Sequence, residues 1–137
     1  LVDPPPLVKV DPPGSQGAIL ARRLYAIGDA WFCTKREDGL WHVYPDTDWP
    51  VRLAPEYDKN NASRPPLMVV LPGGTDRGYP FCVDGPTWSE GGPGPHGWTV
   101  SGTPPGITVK PSINIVGQYH GWIRDGSITP DCEGRKF

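Results

Sequence analysis

The chain has 137 residues, the length of one domain of about 100–150 residues with a core of its own. Its formal charge is −2 and its pI about 5.9, so it lacks the basic footprint of a nucleic-acid binder. No apolar run approaches the roughly 20 residues of a membrane helix, and the opening LVDPPPLVKV has neither the basic segment nor the long apolar stretch of a secretion signal.

Residues 1–17 contain Pro4-Pro5-Pro6 and Pro12-Pro13-Gly14, runs that favour polyproline II. They predict an extended arm that lies on the domain or reaches a neighbouring chain. Ala18 to Ile27 suits either a short helix, with Ser15 as cap and Gly28 as stop, or a strand. Strand is preferred, because everything after it reads as β. Ala30 to Tyr44 predicts a hairpin around Glu37-Asp38-Gly39, with apolar side chains on both faces and hence both faces covered. Trp49 to Leu53 suits a short edge strand, and Pro55 to Pro66 a polar loop. Leu67-Met68-Val69-Val70-Leu71 is continuously apolar and predicts a central strand buried on both sides. Tyr79 to Val83 is placed beside it, across the loop that begins at Pro72.

Asp84 to Pro95 is made of turn residues, and Trp98 to Val100 is a short strand. From Ile107 to Val116 the pattern alternates. Ile107, Val109, Ile113 and Ile115 fall on one face; Thr108, Lys110, Ser112 and Asn114 fall on the other. Pro111 predicts an edge position or a bulge. Tyr119 to Arg124 and Gly126 to Ile128 form a last hairpin around Asp125-Gly126. Six Trp, five Tyr and three Phe speak against disorder despite 18 Gly and 19 Pro. The expectation is a single all-β domain over 18–137, a small antiparallel sandwich or open barrel, with the Pro-rich arm attached.

His-Gly-Trp occurs twice, at His96-Gly97-Trp98 and His120-Gly121-Trp122. Strand alternation puts His96 and Trp98 on one face of the first segment. It puts His120, Trp122 and Arg124 on one face of the second, opposite Tyr119 and Ile123. The two tryptophans read as core anchors of similar strands, with Gly97 and Gly121 relieving backbone crowding. His120 is the histidine expected to serve a site, and the five polar or aromatic side chains of the two segments are the candidate binding residues.

Three cysteines cannot all pair, and no Cys-x-x-Cys is present. A reducing compartment is therefore expected, with either no cofactor or zinc held by Cys82, His120 and Cys132, and His96 as a further ligand. Cys33 sits within an apolar segment and reads as packed, and His42, inside another, reads as packed or exposed at a rim. A Cys-His-Asp set from Cys82 or Cys132, His120, and Asp125 or Asp131 is the only nucleophilic arrangement suggested. No Gly-x-Ser-x-Gly elbow is present, and Pro72 to Gly78 lacks the Lys-Ser/Thr of a phosphate loop. The pattern points to a non-catalytic role.

The block from Gly97 to Phe137, about a third of the chain, resembles a family of small uncharacterised proteins encoded by tailed bacteriophages and prophages. Pro111-Ser112-Ile113, His120-Gly121-Trp122, Asp125-Gly126 and Glu133-Gly134-Arg135 carry the resemblance. Some relatives are richer in cysteine near the first part of this block, which implies metal binding there, and only Cys82 answers to it here. The resemblance implies a phage-encoded binding or structural module, either virion-associated or an accessory interaction protein. It would act in the host cytoplasm or virion on a protein partner, or self-assemble through the arm. The alternative is a small metal-dependent enzyme or zinc-stabilised domain centred on His120.

Overall fold

A computed structural model describes residues 9–11, 27–45, 48–54, 64–73, 78–86, 97–103, 106–115 and 117–134. Of the expectations above, His96, residues 18–26 and all of the arm except 9–11 lie outside the described residues. The described chain is all β, with no helix and hence none long and apolar enough to cross a membrane.

Among the described residues, ten strands make two four-stranded sheets and a ribbon. The first sheet has the order β1 (Lys9–Asp11), β2 (Asp29–Phe32), β5 (Leu67–Leu71) and β6 (Tyr79–Cys82). Its pairs are antiparallel except β1 with β2, which run parallel with Lys9 opposite Asp29. The described part of the arm is thus an edge strand of the domain's own sheet. The second sheet has the order β10 (Ser127–Ile128), β9 (Tyr119–Arg124), β8 (Thr108–Ile115) and β7 (Thr99–Ser101), antiparallel throughout. The two sheets form a sandwich, and neither closes into a barrel.

The core between the sheets follows from strand alternation. Ala30, Leu67, Val69, Leu71 and Val83 from the first sheet meet Ile107, Val109, Ile113, Tyr119, Ile123 and Ile128 from the second, all buried. Each such aliphatic side chain contributes about 1.5–3 kcal/mol by leaving water. The odd residues of β5 face this core. The even ones, Met68 and Val70, face a second core on the other side with Trp31, Cys33, Val43 and Tyr44. The first sheet is therefore covered on both faces, which explains the unbroken apolar run. Trp31 anchors the second core, stacked on Tyr44 at 5.7 Å and donating its indole N–H to Val43 O at 2.8 Å. Arg64 closes one end of β5 with a two-pronged ion pair to the buried Asp84, at 2.8 and 3.0 Å; Asp84 also accepts Leu67 N–H.

The expected hairpin over Ala30 to Tyr44 divides in two. β2 joins β5, and Cys33 N–H bonds Pro66 O at 2.8 Å. β3 (Thr34–Lys35) then leaves the sheet and pairs with β4 (Trp41–His42) around the Glu37-Asp38-Gly39 turn. The ribbon carries Val43 and Tyr44 over the second core. The segment at Trp49 to Val51 extends it with two backbone bonds, Val43 N to Trp49 O and Val51 N to Trp41 O, and one bridge at Pro50.

In the second sheet the alternation over Ile107 to Ile115 appears as read, and Pro111 marks a bulge in a central strand, not an edge. Val109 pairs with Ile123 and Ile113 with Gly121, so Lys110, Pro111 and Ser112 stand opposite Trp122 alone. A proline has no N–H for the ladder, and the bulge removes the need for one. Asp125 and Gly126 both have positive φ, 47° and 79°, the signature of the two-residue turn that matches strand twist.

Candidate functional site

β9 turns Tyr119, Gly121 and Ile123 into the core and His120, Trp122 and Arg124 to the outer face. These three form a row. The His120 and Trp122 rings lie 6.3 Å apart at 26°, and the Arg124 guanidinium sits 4.9 Å from the Trp122 ring centre. Trp122 is thus a half-buried element of the outer face, which corrects its reading as a core anchor. Trp98 does pack against the core, edge-on to Phe81 at 5.1 Å, and donates its indole N–H to Ser112 O.

Both ring nitrogens of His120 are engaged. Nδ1 lies 3.2 Å from Glu133 Oε2, and Nε2 lies 3.1 Å from Ser112 Oγ. A carboxylate only accepts hydrogen bonds, so the neutral imidazole carries its proton on Nδ1. Nε2 is then left as an acceptor for the Ser112 hydroxyl. The order Ser–His–Glu is that of a nucleophile, a general base and the carboxylate that orients the base.

Local structure builds this arrangement from three places in the chain. Ser112 stands two residues from Asn114, the cross-strand partner of His120, and so lies diagonal to the ring on the same face of the sheet. The buried Asp131 accepts His120 N–H on Oδ1 at 2.6 Å and Glu133 N–H on Oδ2 at 3.0 Å. Cys132 N–H adds a bond to His120 O at 2.7 Å. The turn after β10 is thereby clamped to β9 and presents Glu133 to the imidazole. Asn114, the cross-strand partner of His120, carries a buried Oδ1 with no partner among the described residues.

The candidate metal set does not assemble. Cys82 is the register partner of Met68 and lies on the far side of the first sheet, in the second core. Its thiol contacts that of Cys33, and this contact, with burial, pushes the Cys33 thiol well above its ordinary pKa. Cys33 is therefore a packed thiol, not a reactive one. Cys132 is exposed, but both imidazole nitrogens of His120 are taken by Ser112 and Glu133. Asp131, considered for a Cys-His-Asp set, bonds the backbone of His120 and not its ring.

Among the described residues, the one metal-like grouping is Asp38, His42 and Asp48, whose ligand atoms lie within 4.8 Å of one another. His42 is fully buried, which decides for packing between its two readings. Its Nδ1 accepts Trp49 N–H at 3.2 Å, so Nε2 bears the proton and donates it to Asp38 Oδ2 at 2.8 Å. A cation at Nε2 would force the proton to Nδ1, against the Trp49 N–H. The group is better suited to fastening the ribbon than to holding an ion. Leu40 N–H, and then His42, hold the Asp38 carboxyl below its ordinary pKa.

An open groove of about 230 Å³ lies beside the second core, lined by Trp49, Pro50, Val51, Pro80, Phe81 and Cys82 among others. It is on the opposite side of the first sheet from His120. Sequence reading found His120, Trp122 and Arg124 and their shared face, and placed Ser112 on the polar face of its strand. It did not join Ser112 or Glu133 to His120, because nothing in local spacing signals a contact set by the register of two strands and by a clamped turn. No family model matches the chain, and neither a curated protein nor a solved structure matches it.

Proposed function

We propose that this chain is a phage-encoded binding module, virion-associated or accessory, that engages a protein partner through the outer face of its second sheet. The observation that carries this reading is the row His120–Trp122–Arg124. Three large side chains are stacked on the face turned away from the core. Arg124 is exposed at its end and has no carboxylate partner among the described residues. Tryptophan and arginine are the residues that most often dominate binding energy at protein interfaces. Lys110, exposed on the same face of β8, adds a second cation, so an acidic partner surface is the complement. The phage assignment rests on the resemblance of the C-terminal block.

The test compares wild type with Trp122→Ala/Arg124→Glu, immobilised in extracts of phage-infected and uninfected bacteria, with self-association followed by light scattering. A stoichiometric partner, or a defined oligomer, that is kept by wild type and lost by the folded variant supports the reading. Equal retention by both proteins overturns this face as the contact surface.

A further inference from the structure

The Ser112–His120–Glu133 arrangement suggests chemistry on a face otherwise read only as a contact surface. We propose that these residues form an acyl-transfer relay that takes small carboxylic esters. Ser112 is the nucleophile, His120 its general base, and Glu133 the positioning residue. The inference does not depend on the partner proposed for this face.

Three observations converge on it. Ser112 Oγ and Glu133 Oε2 stand at the two ring nitrogens of one imidazole, at 3.1 and 3.2 Å. The carboxylate sits on Nδ1, which leaves the Nε2 lone pair toward the hydroxyl; the reverse tautomer would make Nε2 a donor and the histidine no base. The geometry is also fixed from behind, because the Asp131 carboxylate holds both the His120 and the Glu133 backbone N–H. His42 supplies an internal contrast. It too has a carboxylate at one ring nitrogen, but a backbone N–H occupies the other in place of a hydroxyl.

In the acylation step Ser112 Oγ bonds to the ester carbonyl carbon, and its proton passes to His120 Nε2. The carbon–oxygen bond to the alcohol breaks, and the proton on Nε2 passes to the departing alkoxide. Water then attacks the acyl-serine with His120 again taking the proton, which releases the carboxylic acid and restores the hydroxyl. No redox partner or metal enters the balance. The imidazole side chain is 28% exposed and that of Glu133 49%, so the relay lies on an open face that suits small, unhindered acyl groups. General-base assistance of this kind contributes about 10²–10⁴-fold, which sets the scale of activity to expect.

The test incubates the full chain with a fluorophosphonate probe, maps the modified residue by peptide mass spectrometry, and follows hydrolysis of p-nitrophenyl acetate. Cys132→Ser serves as background throughout, because Cys132 is an exposed thiol able to attack the same ester. The expected result is phosphonylation at Ser112. Ester turnover should fall by about 10²-fold or more in Ser112→Ala at unchanged melting temperature. Glu133→Gln should slow labelling at least about tenfold and remove the Nδ1–H signature of His120 in ¹⁵N spectra, whereas Glu133→Asp should restore part of both. An unlabelled Ser112 in the folded protein, or equal turnover with and without its hydroxyl, overturns the proposal. Unchanged labelling in Glu133→Gln overturns the role given to Glu133.

Discussion

At the scale of single residues, every buried side-chain N or O atom among the described residues has a hydrogen-bond partner except Asn114 Oδ1. Tyr119 shows the consequence. Its ring is fully buried, and its hydroxyl donates to Thr129 O at 2.7 Å. Burial pushes its pKa up to about 12. Below about pH 10 the phenol is neutral in both folded and unfolded chains, so its contribution to stability is complete there. As pH rises toward about 12, the unfolded chain ionises first and that contribution is lost. Tyr119→Phe removes the hydrogen bond and should cost about 1 kcal/mol at neutral pH. Thermal melts from pH 8 to 12 should show the gap between wild type and variant shrinking through the alkaline window. A constant gap would mean that the hydroxyl is not buried as described.

At the scale of elements, the repeated His-Gly-Trp has two different explanations. A Cβ on Gly121 would stand 2.6 Å from Tyr119 Cζ and 2.8 Å from Thr129 Oγ1, because the tyrosine passes beneath it to reach Thr129. A Cβ on Gly97 would meet Gly85 O at 2.7 Å and Ala54 at 2.9 Å, where loops from the two sheets touch. The glycines relieve crowding as the sequence suggests, but the crowding neighbours are distant in the chain and unrelated to each other. Gly121→Ala should therefore destabilise by about 1–3 kcal/mol through overpacking, and Tyr119→Phe should partly rescue it by removing one clashing atom. Denaturant unfolding of the double-mutant cycle measures this; strictly additive losses would argue against the shared contact.

The same scale shows why some elements were legible and others were not. The alternation from Ile107 to Ile115 and the Asp125-Gly126 turn are local signals, and both appear as read. Cys33, where one apparent strand splits between sheet and ribbon, carries no local mark, since the split is decided by competition between β5 and β4 for pairing. The parallel pairing of β1 is likewise a long-range choice that polyproline-like sequence does not announce.

At the scale of the molecule, the architecture is a sandwich whose first sheet is buried on both faces and whose second keeps one face outward. That asymmetry separates two kinds of tryptophan. Trp31→Ala should cost about 3–5 kcal/mol, as for other fully buried aromatics. Trp122→Ala removes a half-buried side chain and one cation–π contact, and should cost on the order of 1 kcal/mol. Equal losses in denaturant melts would place Trp122 back in the core and remove the outer row on which the binding reading depends. The site was half legible for the same reason: one face of β9 follows from period-two alternation, whereas Ser112 and Glu133 reach it only through the assembled fold.

The Ser112–His120–Glu133 arrangement turns on the tautomer of one imidazole, and long-range ¹H–¹⁵N correlation of the histidine rings near pH 8 reads it directly. The prediction is that the neutral ring of His120 carries its proton on Nδ1 and that of His42 on Nε2. A His120 that is Nε2-protonated, or that averages freely between tautomers, would contradict the Ser112–His120–Glu133 arrangement and the chemistry inferred from it.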